Sequence, residues 1–75
     1  MNAIDRSMLI FANRWIPYGG GDEHIFTEFG LSAPRFYRKV LGLIESGETA
    51  ELSPSDRENV RLMCARKLAQ RRTST

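Results

Sequence analysis

Seventy-five residues leave room for one small domain and not for a second. With 41% hydrophobic and 27% charged residues the chain has the balance of a soluble globular protein rather than a disordered one. One cysteine and one histidine exclude an internal disulfide and a closed structural zinc site, so stability must come from well-packed helices, a partner, or both.

The net charge of +2 is unevenly placed. Residues 1–31 set Arg6 and Arg14 against Asp5, Asp22, Glu23 and Glu28, a balance of −2. Residues 32–47 set Arg35, Arg38 and Lys39 against Glu45, a balance of +2. From Arg61 onward Arg61, Arg66, Lys67, Arg71 and Arg72 stand without an acid. Such a separation suits contact with a polyanion on one surface. The apolar run from Met8 to Ala12 is bracketed too closely by Asp5, Arg6 and Arg14 for a signal peptide or a membrane span, so the expected compartment is the cytoplasm, with no membrane partner.

The first helix is predicted over residues 2–16. Ile4, Met8, Phe11, Ala12 and Trp15 repeat at helical spacing, Asn2 caps the start, and Asp5 suits the positive end of the dipole. Pro17 and the glycines 19–21 stop it. Those glycines lack the Lys-Ser/Thr of a phosphate loop and lead into Asp22 and Glu23, so they read as a linker. A short helix follows over about 22–29, carrying Ile25, Phe26 and Phe29 and ending at Gly30. Ser32 then caps a third helix with Pro34 in its opening turn, and Phe36, Tyr37, Val40, Leu41, Leu43 and Ile44 run along it to Gly47. Residues 48–53 read as a polar connection. Ser53-Pro54 opens a fourth helix reaching about Gln70, with Val60, Met63 and Cys64 on one side and Leu62, Ala65 and Ala69 elsewhere.

Residues 22–46 therefore read as a helix-turn-helix within a single all-α domain, residues 1–75, of three to four short helices. Residues 54–75 form its basic C-terminal helix and tail. Ile25, Phe29, Phe36 and Val40 form a wedge of core, and Leu31 plugs the turn. This leaves Ser32, Ala33, Pro34, Arg35, Tyr37, Arg38 and Lys39 on or beside the exposed start of the third helix. Small residues there admit close approach to a DNA groove, and arginines reach guanine edges or phosphate oxygens. Arg66, Lys67, Arg71 and Arg72 are expected to add phosphate contacts. Phe26 stands where such motifs place alanine, so it must either point into a gap or push the helices apart.

The residues Phe11, Arg14-Trp15, Gly19 and Glu23, then Ile25 and Phe29-Gly30-Leu31-Ser32-Ala33, with Arg35, Tyr37 and Leu41, carry a resemblance. Over residues 8–46 the chain resembles a family of small actinobacterial and actinophage proteins known as a domain of unknown function. Its members share a tryptophan-bearing first helix and an FGLSA-x-R-aromatic-Tyr signature. The resemblance implies a helix-turn-helix protein that binds DNA, and it brings no established activity. Ile16 after Trp15, Phe26 for a polar residue, and Pro34 inside the signature depart from that pattern.

Trp15 is expected as a core anchor, His24 as a solvated or capping residue, and Cys64 as a small buried hydrophobe. No nucleophile has a base beside it and no acid pair suggests catalysis, so neither an enzyme nor a cofactor is expected. The expected function is a small DNA-binding transcription regulator of bacterial or phage origin, acting on double-stranded DNA. One alternative is a protein-interaction module that docks on RNA polymerase, a sigma factor or another host protein. The other is an architectural or excision-type DNA-binding factor. The fourth helix is the natural candidate for a homodimer contact.

Overall fold

A computed structural model describes residues 3–47 and 52–73, the last three as backbone only. Four α-helices, α1 (Ala3–Trp15), α2 (Asp22–Phe29), α3 (Ala33–Ser46) and α4 (Pro54–Thr73), make an all-α fold, with a single 3₁₀ turn at Ile16–Tyr18 and no strand among the described residues. Asn2, expected to cap α1, lies outside the described residues.

Each boundary has a local cause. Pro17 cannot extend α1 and instead sits in the 3₁₀ turn, which Gly19 closes by donating its N–H to the Ile16 carbonyl at 3.2 Å. Gly30 takes the left-handed conformation, φ 68°, and donates to the Phe26 carbonyl to end α2. Ser32 occupies the N-cap position of α3 with extended backbone, but its hydroxyl makes no capping bond. At α4 the cap is complete: the Asp56 N–H donates to Ser53 Oγ at 3.1 Å, with Pro54 as the first helical residue.

α3 is the central element, packed mainly on α4 and flanked by α1 and α2. Phe36, Tyr37 and Val40 of α3 are fully buried, together with Met8, Leu9 and Ala12 of α1, Ile25 of α2, and Val60 and Cys64 of α4. Burial of each large side chain contributes about 1.5–3 kcal/mol, and in so short a chain few are dispensable. Phe11, Phe29 and Phe36 meet in a three-ring cluster, with centroids 5.2–5.6 Å apart and two of the three contacts edge-to-face. This joins α1, α2 and the start of α3, and so sets the α2–α3 crossing.

Several expectations about burial need correction. Leu9, outside the expected stripe of α1, is fully buried, whereas Ile4, inside it, is 67% exposed, because α3 and α4 pack on a face of α1 centred near Ala12. Trp15 is half-buried; its ring lies between Tyr18 and His24, with centroids at 5.5 and 4.9 Å, over the glycine turn and not inside the core. Leu52, placed in the polar connection, folds back into the core. Phe26 neither fills a gap nor separates the helices; it points to solvent, 70% exposed.

The glycines 19–21 are not a linker. Gly20 and Gly21 are buried, and both have positive φ. A Cβ on Gly21 would lie 2.7 Å from Trp15 Cδ2, and one on Gly20 would lie 2.5 Å from the Tyr37 hydroxyl oxygen. Gly20 and Gly21 are packed between the end of α1, α3 and α4, and only glycine fits at those two positions.

Candidate nucleic-acid interface

Burial of Phe36, Tyr37, Val40 and Ile44 fixes which way α3 faces. Those positions lie on one flank of a 3.6-residue helix, so Arg35, Arg38 and Gly42 fall on the opposite flank, with Lys39 beside them. All four are exposed. Arg35 and Arg38 make no ion pair among the described residues, and Lys39 reaches only an outer-limit contact with Asp5 at 4.0 Å. That pair is exposed on the lysine side and contributes little. Ser32 is exposed at the head of the same helix, while Ala33 and Pro34 are half-buried, Ala33 packing against the core.

Two of the residues expected to touch DNA, buried Tyr37 and partly exposed Lys67, are engaged in contacts within the chain instead. Tyr37 is 1% exposed. Its hydroxyl donates to the Gly20 carbonyl at 3.1 Å and to Asp22 Oδ1 in a short contact, one proton shared between two acceptors. Burial, reinforced by the hydrogen bond to Asp22, holds the phenol well above its usual range. It has no free edge for a phosphate. Lys67 sends its ammonium to Asp22, 3.4 Å from both carboxylate oxygens, while its Cε packs beside Gly20. Tyr37, Gly20, Asp22 and Lys67 thus form one polar tie linking α3, the glycine turn, α2 and α4. Asp22 suits this place because its carboxylate also sits in the first turn of α2.

Of the basic residues of α4 expected to contact phosphate, Arg66 does not extend the α3 surface. Arg66 is exposed but lines a shallow cleft with Ile16, Gly19, Met63 and Gln70, beside the 3₁₀ turn. Arg61, five positions earlier and about 140° around the helix, is the residue that feels Glu45 of α3. It also pairs with Glu58 through Nε at 3.1 Å. The structure therefore brings Arg35, Arg38 and Lys39 together and places Arg66 on another flank. Arg71 and Arg72 lie in the last turn of α4, and their side chains fall outside the described residues.

The Tyr37–Gly20–Asp22–Lys67 tie and the exposed glycine of α3 are absent from the sequence-based expectations. No local signal marks the tie, since its bonded pairs are 15 to 45 residues apart in the chain. Gly42 does carry a signal: a mid-helix glycine with nothing within 4 Å of an added Cβ has no packing reason to be glycine. Cys64, fully buried against the core, has its thiol pushed up to about 12 by burial alone and is no nucleophile.

No described helix is long and apolar enough to cross a membrane. No curated protein and no solved structure matches the chain. A family model does, over residues 1–73, and the chain belongs to that family, described as Protein of unknown function (DUF3263).

Proposed function

We propose that this chain is a small DNA-binding protein of the helix-turn-helix type, acting as a transcription regulator in a bacterial or phage setting, in the cytoplasm. The reading rests on one observation: the outer flank of α3 presents Arg35 and Arg38 unpaired, with Lys39 beside them and no large apolar side chain among them. The three residues Gly30, Leu31 and Ser32 join α2 to α3, and α2 braces α3 from behind through Ile25 and Phe29. α3 enters the major groove of double-stranded DNA with Arg35 and Arg38 reading base edges and Lys39 holding a phosphate. Tyr37 and Lys67 take no part, and Arg66 adds at most a peripheral contact.

Fluorescence anisotropy with labelled duplexes at two salt concentrations tests this. The wild type binds, and log K falls with log salt with a slope of about −3 to −4, for three or four phosphates neutralised. Arg35→Ala/Arg38→Ala reduces affinity at least tenfold and flattens discrimination between duplexes, each arginine being worth about 1–3 kcal/mol. If the double variant binds as the wild type does, α3 is not the reading helix.

A second reading, docking on a protein such as RNA polymerase or a sigma factor, is favoured by Phe26. It stands 70% exposed on α2, an apolar anchor that DNA binding does not use. Retention of purified polymerase on the immobilised protein, lost in Phe26→Ala and kept in the arginine variant, would support that reading over the first.

A further inference from the structure

We propose that the groove between α1 and α2 is the face through which two copies of this chain associate. The groove encloses about 490 Å³ and is lined from α1 by Ile4, Ser7, Ile10 and Arg14 and from α2 by Glu28 and Phe29. Ile4 is 67% and Ile10 50% exposed, so the face holds two projecting apolar side chains as well as the hollow beside them. Knob and hollow on one patch are what a two-fold, self-complementary contact requires.

Charge selects the occupant. Arg14 and Glu28 line the same groove but make no ion pair with each other or with any other described residue. A second copy related by a two-fold axis sets each arginine against the other chain's glutamate, so both charges are answered twice. A polyanion answers Arg14 but sets like charge against Glu28, and a purely apolar partner leaves both charges unanswered. The opposite flank of α1 carries Asp5, which faces Lys39 of α3. Association through the groove therefore leaves Arg35, Arg38 and Lys39 exposed on both copies. It also moves the dimer contact away from α4, whose one exposed large apolar side chain among the described residues is Leu62. The inference does not depend on DNA binding.

Sedimentation equilibrium from micromolar to sub-millimolar protein decides the matter, with circular dichroism confirming that each variant remains helical. The wild type is expected at twice the monomer mass, and Ile10→Asp at the monomer mass. Arg14→Glu and Glu28→Arg each set like charges against one another and raise the dissociation constant roughly tenfold. An equimolar mixture of those two variants regains the wild-type affinity, because every contact in the mixed dimer is again between opposite charges. A monomeric wild type throughout the range overturns the proposal. So does an Ile10→Asp protein that dimerises as tightly as wild type, or a mixture no tighter than its components.

Discussion

Gly20→Ala tests the packing of the glycine turn most directly. The backbone at Gly20 has φ +112°, where an L-residue is strained by about 1–2 kcal/mol. The new methyl would lie 2.5 Å from the Tyr37 hydroxyl oxygen, 2.9 Å from Lys67 Cε and 3.1 Å from Asp22 Oδ1. Both Tyr37 and Lys67 must retreat. Displacing the phenol removes the hydrogen bond to the Gly20 carbonyl and costs about 1–3 kcal/mol more. The sum, about 2–5 kcal/mol, is a large part of the roughly 4–11 kcal/mol that a domain of this size possesses. At about 4–8 °C per kcal/mol, the melting temperature should fall by at least about 8 °C. Gly42→Ala is the matched control: it sits exposed in the middle of α3, its Cβ meets nothing within 4 Å, and the substitution should stabilise by about 0.5–1 kcal/mol. Thermal melts followed by helical circular dichroism read both. In a Tyr37→Phe background the nearest clash disappears, so Gly20→Ala should cost measurably less there than in the wild type. A Gly20→Ala protein melting within about 3 °C of wild type would refute the account of the turn.

Three further outcomes are expected. Tyr37→Phe leaves the Gly20 carbonyl without its phenol donor and should destabilise by about 1–2 kcal/mol in denaturant titrations, while duplex binding by the folded fraction is unchanged. Alkaline pH should weaken the fold: above about pH 8.5 the unfolded chain loses the Cys64 proton that the folded chain keeps to about 12. The unfolded state then binds fewer protons, so stability falls as pH rises through that window, and Tyr37, also raised, adds to the fall. Melting temperatures from pH 7 to 11 should show this, with a shallower decline in Cys64→Ala; iodoacetamide should label Cys64 only when the chain is unfolded. Ser53→Ala removes the acceptor for the Asp56 N–H and should cost about 1 kcal/mol by the same melts.

The helices were legible because their signals are local. Pro17, Gly30, Gly47 and the Ser53-Pro54 pair each act on the backbone within a turn of where they stand, and the ends of α1, α2 and α3 and the start of α4 fall within two residues of them. The outward placement of Arg35, Arg38 and Lys39 followed from the same period, since Phe36 and Val40 had to face inward. Leu9 and Ile4 show the limit of that argument. A helix with apolar residues on several sides does not say which side its neighbours will cover, and docking on α3 and α4 chose the Met8–Leu9–Ala12 flank.

Tertiary structure alone decided the chemistry of the polar side chains. Tyr37 on a basic helix reads as a phosphate contact until the glycine turn, 17 residues away, closes over its hydroxyl. Lys67 reads as part of a basic tail until Asp22, 45 residues away, takes its charge. Three glycines in a row read as slack until Tyr37 and Trp15 occupy the space that side chains at Gly20 and Gly21 would have filled. Length, composition and spacing determined a small helical domain with a basic α3 flank and no covalent staple. Which charges stay free to meet a partner, and which hold the domain together, depends on pairs far apart in the chain, and only packing brings those pairs within bonding distance.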